Sequence, residues 1–131
     1  MNLLESIKPG MMGEVSIVVG PDQTVGHFVP GMPMVYATPM MILLMEQASG
    51  EAITSRIPEG YVSVGIEVNV RHLAATLVGC TVRAVARVTE VRGRSIAFDV
   101  EAWEGDRKIG DGTHRRGVVN VAEFQKRLTG S

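Results

Sequence analysis

Thr38-Pro39-Met40-Met41-Ile42-Leu43-Leu44-Met45-Glu46-Gln47-Ala48 opens the stretch whose reading decides the fold. A hydroxyl residue followed by proline is a helix-start signal, with Thr38 as the cap and Pro39 in the first turn, where its missing N–H is not needed. Ala48, Ala52 and Ile53 continue the pattern, and Ile57-Pro58-Glu59-Gly60 ends it. The spacing therefore predicts a helix over 38–56. Residues 40–45 are apolar on every face, which predicts a helix wrapped by protein rather than lying on a surface. After Gly60 the hydrophobic period changes from 3.6 to 2. Val62, Val64, Ile66, Val68 and Val70 alternate with Ser63, Gly65, Glu67, Asn69 and Arg71. The even-numbered residues are expected to form the buried face of a strand, and His72 continues it.

Working outward, residues 12–19 read as a first strand closed by Gly20-Pro21-Asp22, and 20–37 as a loop with one turn of helix. Downstream, 78–91, 95–103 and 108–119 read as strands joined by turns at Arg92-Gly93 and Glu104-Gly105-Asp106. Ile96, Phe98, Val100 and Ala102 share one face of the middle strand. Asn120 with Glu123 three residues on resembles the cap of a short C-terminal helix. Hairpin-length connections make the last strands antiparallel. The expectation is a single α+β domain over 1–131, a five-stranded antiparallel sheet and one long helix burying each other. Helices and strands do not alternate, which excludes a Rossmann-like fold.

Composition narrows the function. In 131 residues, thirteen basic and fourteen acidic side chains leave a net charge of −1, so there is no positive field to hold a nucleic acid. One cysteine excludes an internal disulfide framework and a cysteine-based zinc site. Cys80 is expected to be a small buried apolar residue. The dense apolar run 39–45 is too short to span a bilayer. The first residues carry no basic-then-apolar leader, so a cytoplasmic protein without a membrane partner is expected. Aromatics are 5% of the chain, yet there are eight methionines, five of them between Met32 and Met45. The interior must be aliphatic and methionine-rich, with a flexible lining near the helix.

Three residues stand out chemically. Glu46 follows an apolar run, where a carboxylate is desolvated unless it is bonded, used, or at a corner reaching water. His72 sits on the apolar face of its strand, as a satisfied core histidine or a proton carrier. Thr38 either caps the helix or helps its N-terminal N–H groups bind an anionic or polarised group. Thr38 and Glu46 are about 12 Å apart along the helix. Side chains lean toward the helix N-terminus, so Glu46 is expected to point back toward Thr38, with room for a small acyl group between. Gly110-Asp111-Gly112 lacks the third glycine of a dinucleotide loop. His27, His72 and His114 have no metal-type spacing, so no metal and no separate cofactor are expected. Arg115-Arg116 reads as a solvated strand end, with a phosphate clamp as the alternative. Glu67 and His72 mimic an acid–histidine hydratase pair, but five residues apart on a strand puts them on opposite faces.

Tyr36-Ala37-Thr38-Pro39 through Glu46-Gln47-Ala48, Val70-Arg71-His72-Leu73-Ala74-Ala75-Thr76, and Gly110 to Arg116 together resemble the fluoroacetyl-CoA thioesterase family of the hotdog fold. The resemblance runs from about residue 12 to 124 and includes the eight-residue Thr-to-Glu and 26-residue Glu-to-His spacings. It implies hydrolysis of an acyl-CoA thioester by a catalytic set of Thr38, Glu46 and His72. It also implies Gly65 as a backbone position near the reacting carbonyl and Arg116 as a basic residue beside the site. Met34 and Tyr36, in the segment before the helix, are expected to contact the substrate. CoA enters only as part of that substrate. The assembly implied is a homodimer with interface pockets, or two such dimers together. The fluoroacetate-specific pattern has a longer, phenylalanine-containing lid before its threonine. Here thirteen residues separate Thr24 from Thr38, so the implied substrate is an acyl-CoA in general. Two rivals remain open: a non-catalytic acyl-CoA or lipid-binding module, and an enoyl-CoA hydratase of the same fold.

Overall fold

Ile96, Phe98, Val100 and Ala102 are each at most 1% exposed and define the plane of the core. They belong to a computed structural model that describes residues 3–130. The alternation expected for this strand holds because both of its neighbours are hydrogen-bonded strands. The sheet contains β1 (Met12–Val18), β2 (Tyr61–His72), β3 (Thr81–Arg92), β4 (Ser95–Glu104) and β5 (Arg107–Asn120) in the order β1-β3-β4-β5-β2. Every pairing is antiparallel. The face away from the helix carries ion pairs such as Arg83–Glu14 and Arg87–Asp99.

A short helix α1 (Val25–Phe28) precedes the long helix α2 (Thr38–Ile53), which a 3₁₀ turn extends to Arg56. A last helix α3 (Val121–Thr129) is capped as expected, the Asn120 side chain accepting the Glu123 N–H. Met41, Leu44, Met45, Ala48, Ser49, Ala52 and Ile53 form one buried stripe on α2. Ala48 and Ala52 let β1 approach closely. A Cβ on Gly13 would strike the Ala48 carbonyl and the Ala52 backbone, so only glycine fits there.

The structure corrects five expectations. Thr38 is not the cap. Ala37 holds that position without a side-chain bond, and Thr38 is the first helical residue. The helix is not wrapped on all sides within one chain, since Leu43 is 44% exposed. The third strand starts at Thr81 rather than 78, because Gly79 takes a left-handed turn (φ +92°) whose N–H donates to Val19 O. Cys80, in that turn, is half-buried rather than buried. Finally, the even-numbered residues of β2 do not share one buried face. The register shifts between Gly65 and Glu67, making Ile66 a β-bulge, and a bulge reverses the side-chain phase. Before it, odd residues face the helix: Tyr61 packs on the core and Gly65 abuts Glu46. After it, even residues do: Val70 packs on the core and His72 reaches Thr38. Val62 and Ile66 turn outward instead, 44% and 57% exposed.

Candidate active site

Two clusters lie along α2. At its start, Thr38 Oγ1 and His72 Nδ1 share a 2.8 Å hydrogen bond. His72 is the last residue of β2, and Thr38 is free to meet it because its hydroxyl caps nothing. Anchoring is good on both sides. Tyr36, 1% exposed, donates its hydroxyl to Met40 O at 3.1 Å, and Leu73 N–H donates to Ile109 O at 2.7 Å. Burial pushes the Tyr36 phenol up to about 12, so it stays a donor. The His72 ring nitrogen Nε2 is buried and makes no full hydrogen bond among the described residues. Burial holds the ring below the ordinary imidazole value, and the Ala74 backbone pulls it partly back. The ring is thus held by Thr38 and biased toward its neutral form. A cleft of about 340 Å³ opens here, lined by Thr38, His72, Tyr36, Val25 and Val35 among others.

The second cluster gathers around Glu46. Its Oε2 is 3.5 Å from Arg116 Nη1 and 3.9 Å from His114 Nε2. A Cβ on Gly65 would strike that same oxygen, so glycine at 65 makes the room the carboxylate occupies. Arg116 is gripped independently: its Nε donates to Ser63 Oγ at 2.8 Å and its Nη2 to Ser63 O at 2.9 Å. His114 is 3% exposed, and its Nδ1–H donates to Glu67 O at 2.7 Å. That fixes the tautomer, leaving Nε2 to accept from Arg116 Nη1 at 3.2 Å. Burial, with Arg116 assisting, holds His114 below its ordinary value. The same desolvation lowers Arg116, and the Glu46 charge opposes it. Ile42, Met45, Val68, Val70 and Val100 complete a tight apolar cup around Glu46 and His114.

The expected residues therefore fall in two groups. Thr38 and His72 meet, as do Glu46, Gly65 and Arg116. The Glu46 carboxylate engages Arg116 rather than an apolar wall alone, and it lies with Gly65 rather than with Thr38. Arg116 is no solvated strand end, for its side chain is only 12% exposed. Tyr36 borders the first cleft with its hydroxyl committed. Met34 sits apart on the lid segment, 49% exposed, with Sδ 3.5 Å from Thr24 Oγ1. Glu67 faces outward to Arg115 at 3.6 Å, away from His72, which removes the hydratase pair. Ser63 and His114 were not anticipated. The available signal was that His114 precedes Arg116 by two on one strand, so both share a face. Among the described residues, no group of three or more metal-ligating side chains converges and no helix is long and apolar enough to cross a membrane.

Comparison with known proteins places this geometry. Residues 19–122 match the family model for fluoroacetyl-CoA-specific thioesterase. The chain is 37% identical over 117 residues to the fluoroacetyl-CoA thioesterase of Streptantibioticus cattleyicolor, covering 85% of this chain and 84% of that protein. A solved structure of the fluoroacetyl-CoA thioesterase superposes with a TM-score of 0.89 at 34% identity, over 95% of this chain and 97% of that one. A Thermus thermophilus thioesterase superfamily member does so with 0.86 at 33% identity, over 94% and 91%. The five strands and long helix are thus a hotdog fold, and the chain belongs to the fluoroacetyl-CoA-specific thioesterase family.

Proposed function

We propose that this chain hydrolyses acyl-CoA thioesters to the free acid and CoA, with Thr38, Glu46 and His72 as the catalytic residues. Beyond family membership, the observation that carries this reading is the His72 ring, fixed by Thr38, with a buried Nε2 that makes no full hydrogen bond among the described residues. A satisfied structural histidine bonds both nitrogens fully or exposes the spare one, whereas this ring is fixed by Thr38 and has beyond it only the Ala74 backbone. Glu46 attacks the thioester carbonyl, or activates a water that does. Gly65 leaves the carboxylate its place and Arg116 holds it in orientation. On either route one water supplies the acid's new oxygen, the C–S bond breaks and sulfur leaves as the CoA thiolate. His72, neutral at rest, takes up a proton released by that water and passes it to the thiolate. Thr38 keeps the imidazole turned. The substrate class is acyl-CoA in general, because the lid before Thr38 is short.

The assembly that suits this chemistry is a homodimer formed through β2. This strand is a sheet edge and carries exposed Val62, Ile66 and Val68, with Leu43 and Leu73 also exposed. An uncovered apolar edge is a pairing surface. The two clusters are about 12 Å apart along α2, so a second copy set against this edge would complete the pocket. A sedimentation mass equal to one 14.1 kDa chain would refute the dimer.

Thiol release from a panel of acyl-CoAs tests the activity. Release from at least one is expected. Binding of every member without release would make the protein an acyl-CoA-binding module instead. In oxygen-18 water, label appearing in Glu46 after one turnover marks the anhydride route. Label only in the product marks direct attack by water.

A further inference from the structure

Eight of the thirteen lysines and arginines are held in ion pairs. Among the described residues, Lys8, Arg56, Arg94, Lys126 and Arg127 are not. Three of those five line a single cleft of about 710 Å³. Arg94 comes from the β3–β4 turn, its guanidinium 5.5 Å over the Tyr61 ring. Lys126 and Arg127 come from the last turn of α3. Complementing the dipole of α3 accounts for the two helix residues. It does not account for Arg94, which arrives from a separate element. Glu123 is the one acidic residue in the lining, so the cleft keeps an excess of two positive charges, over a floor that includes Val118 and Val119.

Position links this cleft to the proposed reaction. Val118 pairs with Ser63, the residue that grips Arg116. The cleft thus begins two residues beyond Arg116 on β5, roughly 7 Å along the strand. Resting on the thioesterase reading, we propose that it binds the 3′-phosphoadenosine diphosphate end of the CoA thioester. Phosphates of that group match lysine and arginine donors. The Arg94 plane and the valine floor suit a purine ring. From there the pantetheine arm spans the distance back to Glu46.

The test compares acetyl-CoA with S-acetylpantetheine, which has the same reacting group and no nucleotide. In the triple variant Arg94→Gln, Lys126→Gln, Arg127→Gln, KM for acetyl-CoA is expected to rise roughly tenfold. The preference in kcat/KM for acetyl-CoA over S-acetylpantetheine should collapse by the same factor. An unchanged preference overturns the proposal. Should the triple variant fold poorly, Arg94→Gln and Lys126→Gln singly are each expected to lower the preference two- to threefold, roughly. Should the wild type release thiol from neither substrate, the activity reading fails separately. Titration calorimetry with free CoA then decides the cleft: weaker binding by the variants upholds it, and equal or absent binding overturns it.

Discussion

The two clusters along α2 are built differently. Thr38 and His72 meet through one hydrogen bond at an exposed helix start, with the Ala74 backbone as the ring's other polar neighbour. Glu46 lies in a cup where Arg116 is held by Ser63 twice and by His114 once. Few contacts around a titratable group leave it free to exchange protons. Many contacts around a charged one fix its position, which is what electrostatic preorganisation requires. On this account the first cluster moves protons and the second holds a carboxylate still.

The largest combined loss of stability and activity is expected at the rigid cluster. Arg116→Ala removes a guanidinium that is mostly buried and leaves Ser63, His114 and Glu46 without their partner. Stability should fall by roughly 2–4 kcal/mol in denaturant melts, and thiol release by about a hundredfold. Gly65→Ala separates position from stability. Its Cβ displaces the Glu46 carboxylate and crowds His114 Cε1 at 3.2 Å, while Gly65 has no left-handed backbone to strain. Activity should drop by about a hundredfold, as a misplaced catalytic group implies, with a stability loss of about 1 kcal/mol, smaller than that of Arg116→Ala.

Acid should distinguish the clusters next. His72 and His114 both lie below the ordinary value of 6.5 when folded, chiefly from burial. The unfolded chain therefore binds more protons just below that value, and stability must fall as pH drops through it. Full stability is expected above 6.5, with a progressive loss below. His114→Gln should reduce that loss, and His72→Gln should shift the acid limb of kcat/KM. A flat stability profile between pH 7 and 5 would contradict both assignments. The smallest effect belongs to Thr38→Ala. Its hydroxyl caps nothing, so the melt should move by less than about 0.5 kcal/mol. Losing the 2.8 Å bond to His72 should slow thiol release by about tenfold.

The same contrast explains what could be read from sequence. The face of β4 was legible because Ile96 to Ala102 alternate without interruption between two neighbouring strands. The face of β2 was not, since Val62 to Val70 alternate just as cleanly while the bulge at Ile66 reverses their direction. A bulge is set by pairing with β5, not by the apolar pattern. Glu46, His72 and Thr38 were visible as anomalies of type and position. Their division into two clusters was not, because it depends on where β2 and β5 meet α2. Thr38 looked like a cap because hydroxyl-proline signals a helix start, but Ala37 fills that position and the hydroxyl is drawn to His72. Ser63 and His114 escaped notice because their partner Arg116 looked like a surface residue until the fold buried it.

The central claim is that Glu46 and His72 carry thioester hydrolysis from separate clusters. Its most direct measurement is CoA release from an acyl-CoA that the wild type turns over, using Glu46→Ala and His72→Ala. Each substitution is expected to lower the rate by roughly a hundredfold or more, with folding intact by circular dichroism. Rates for both variants within tenfold of wild type would contradict the account.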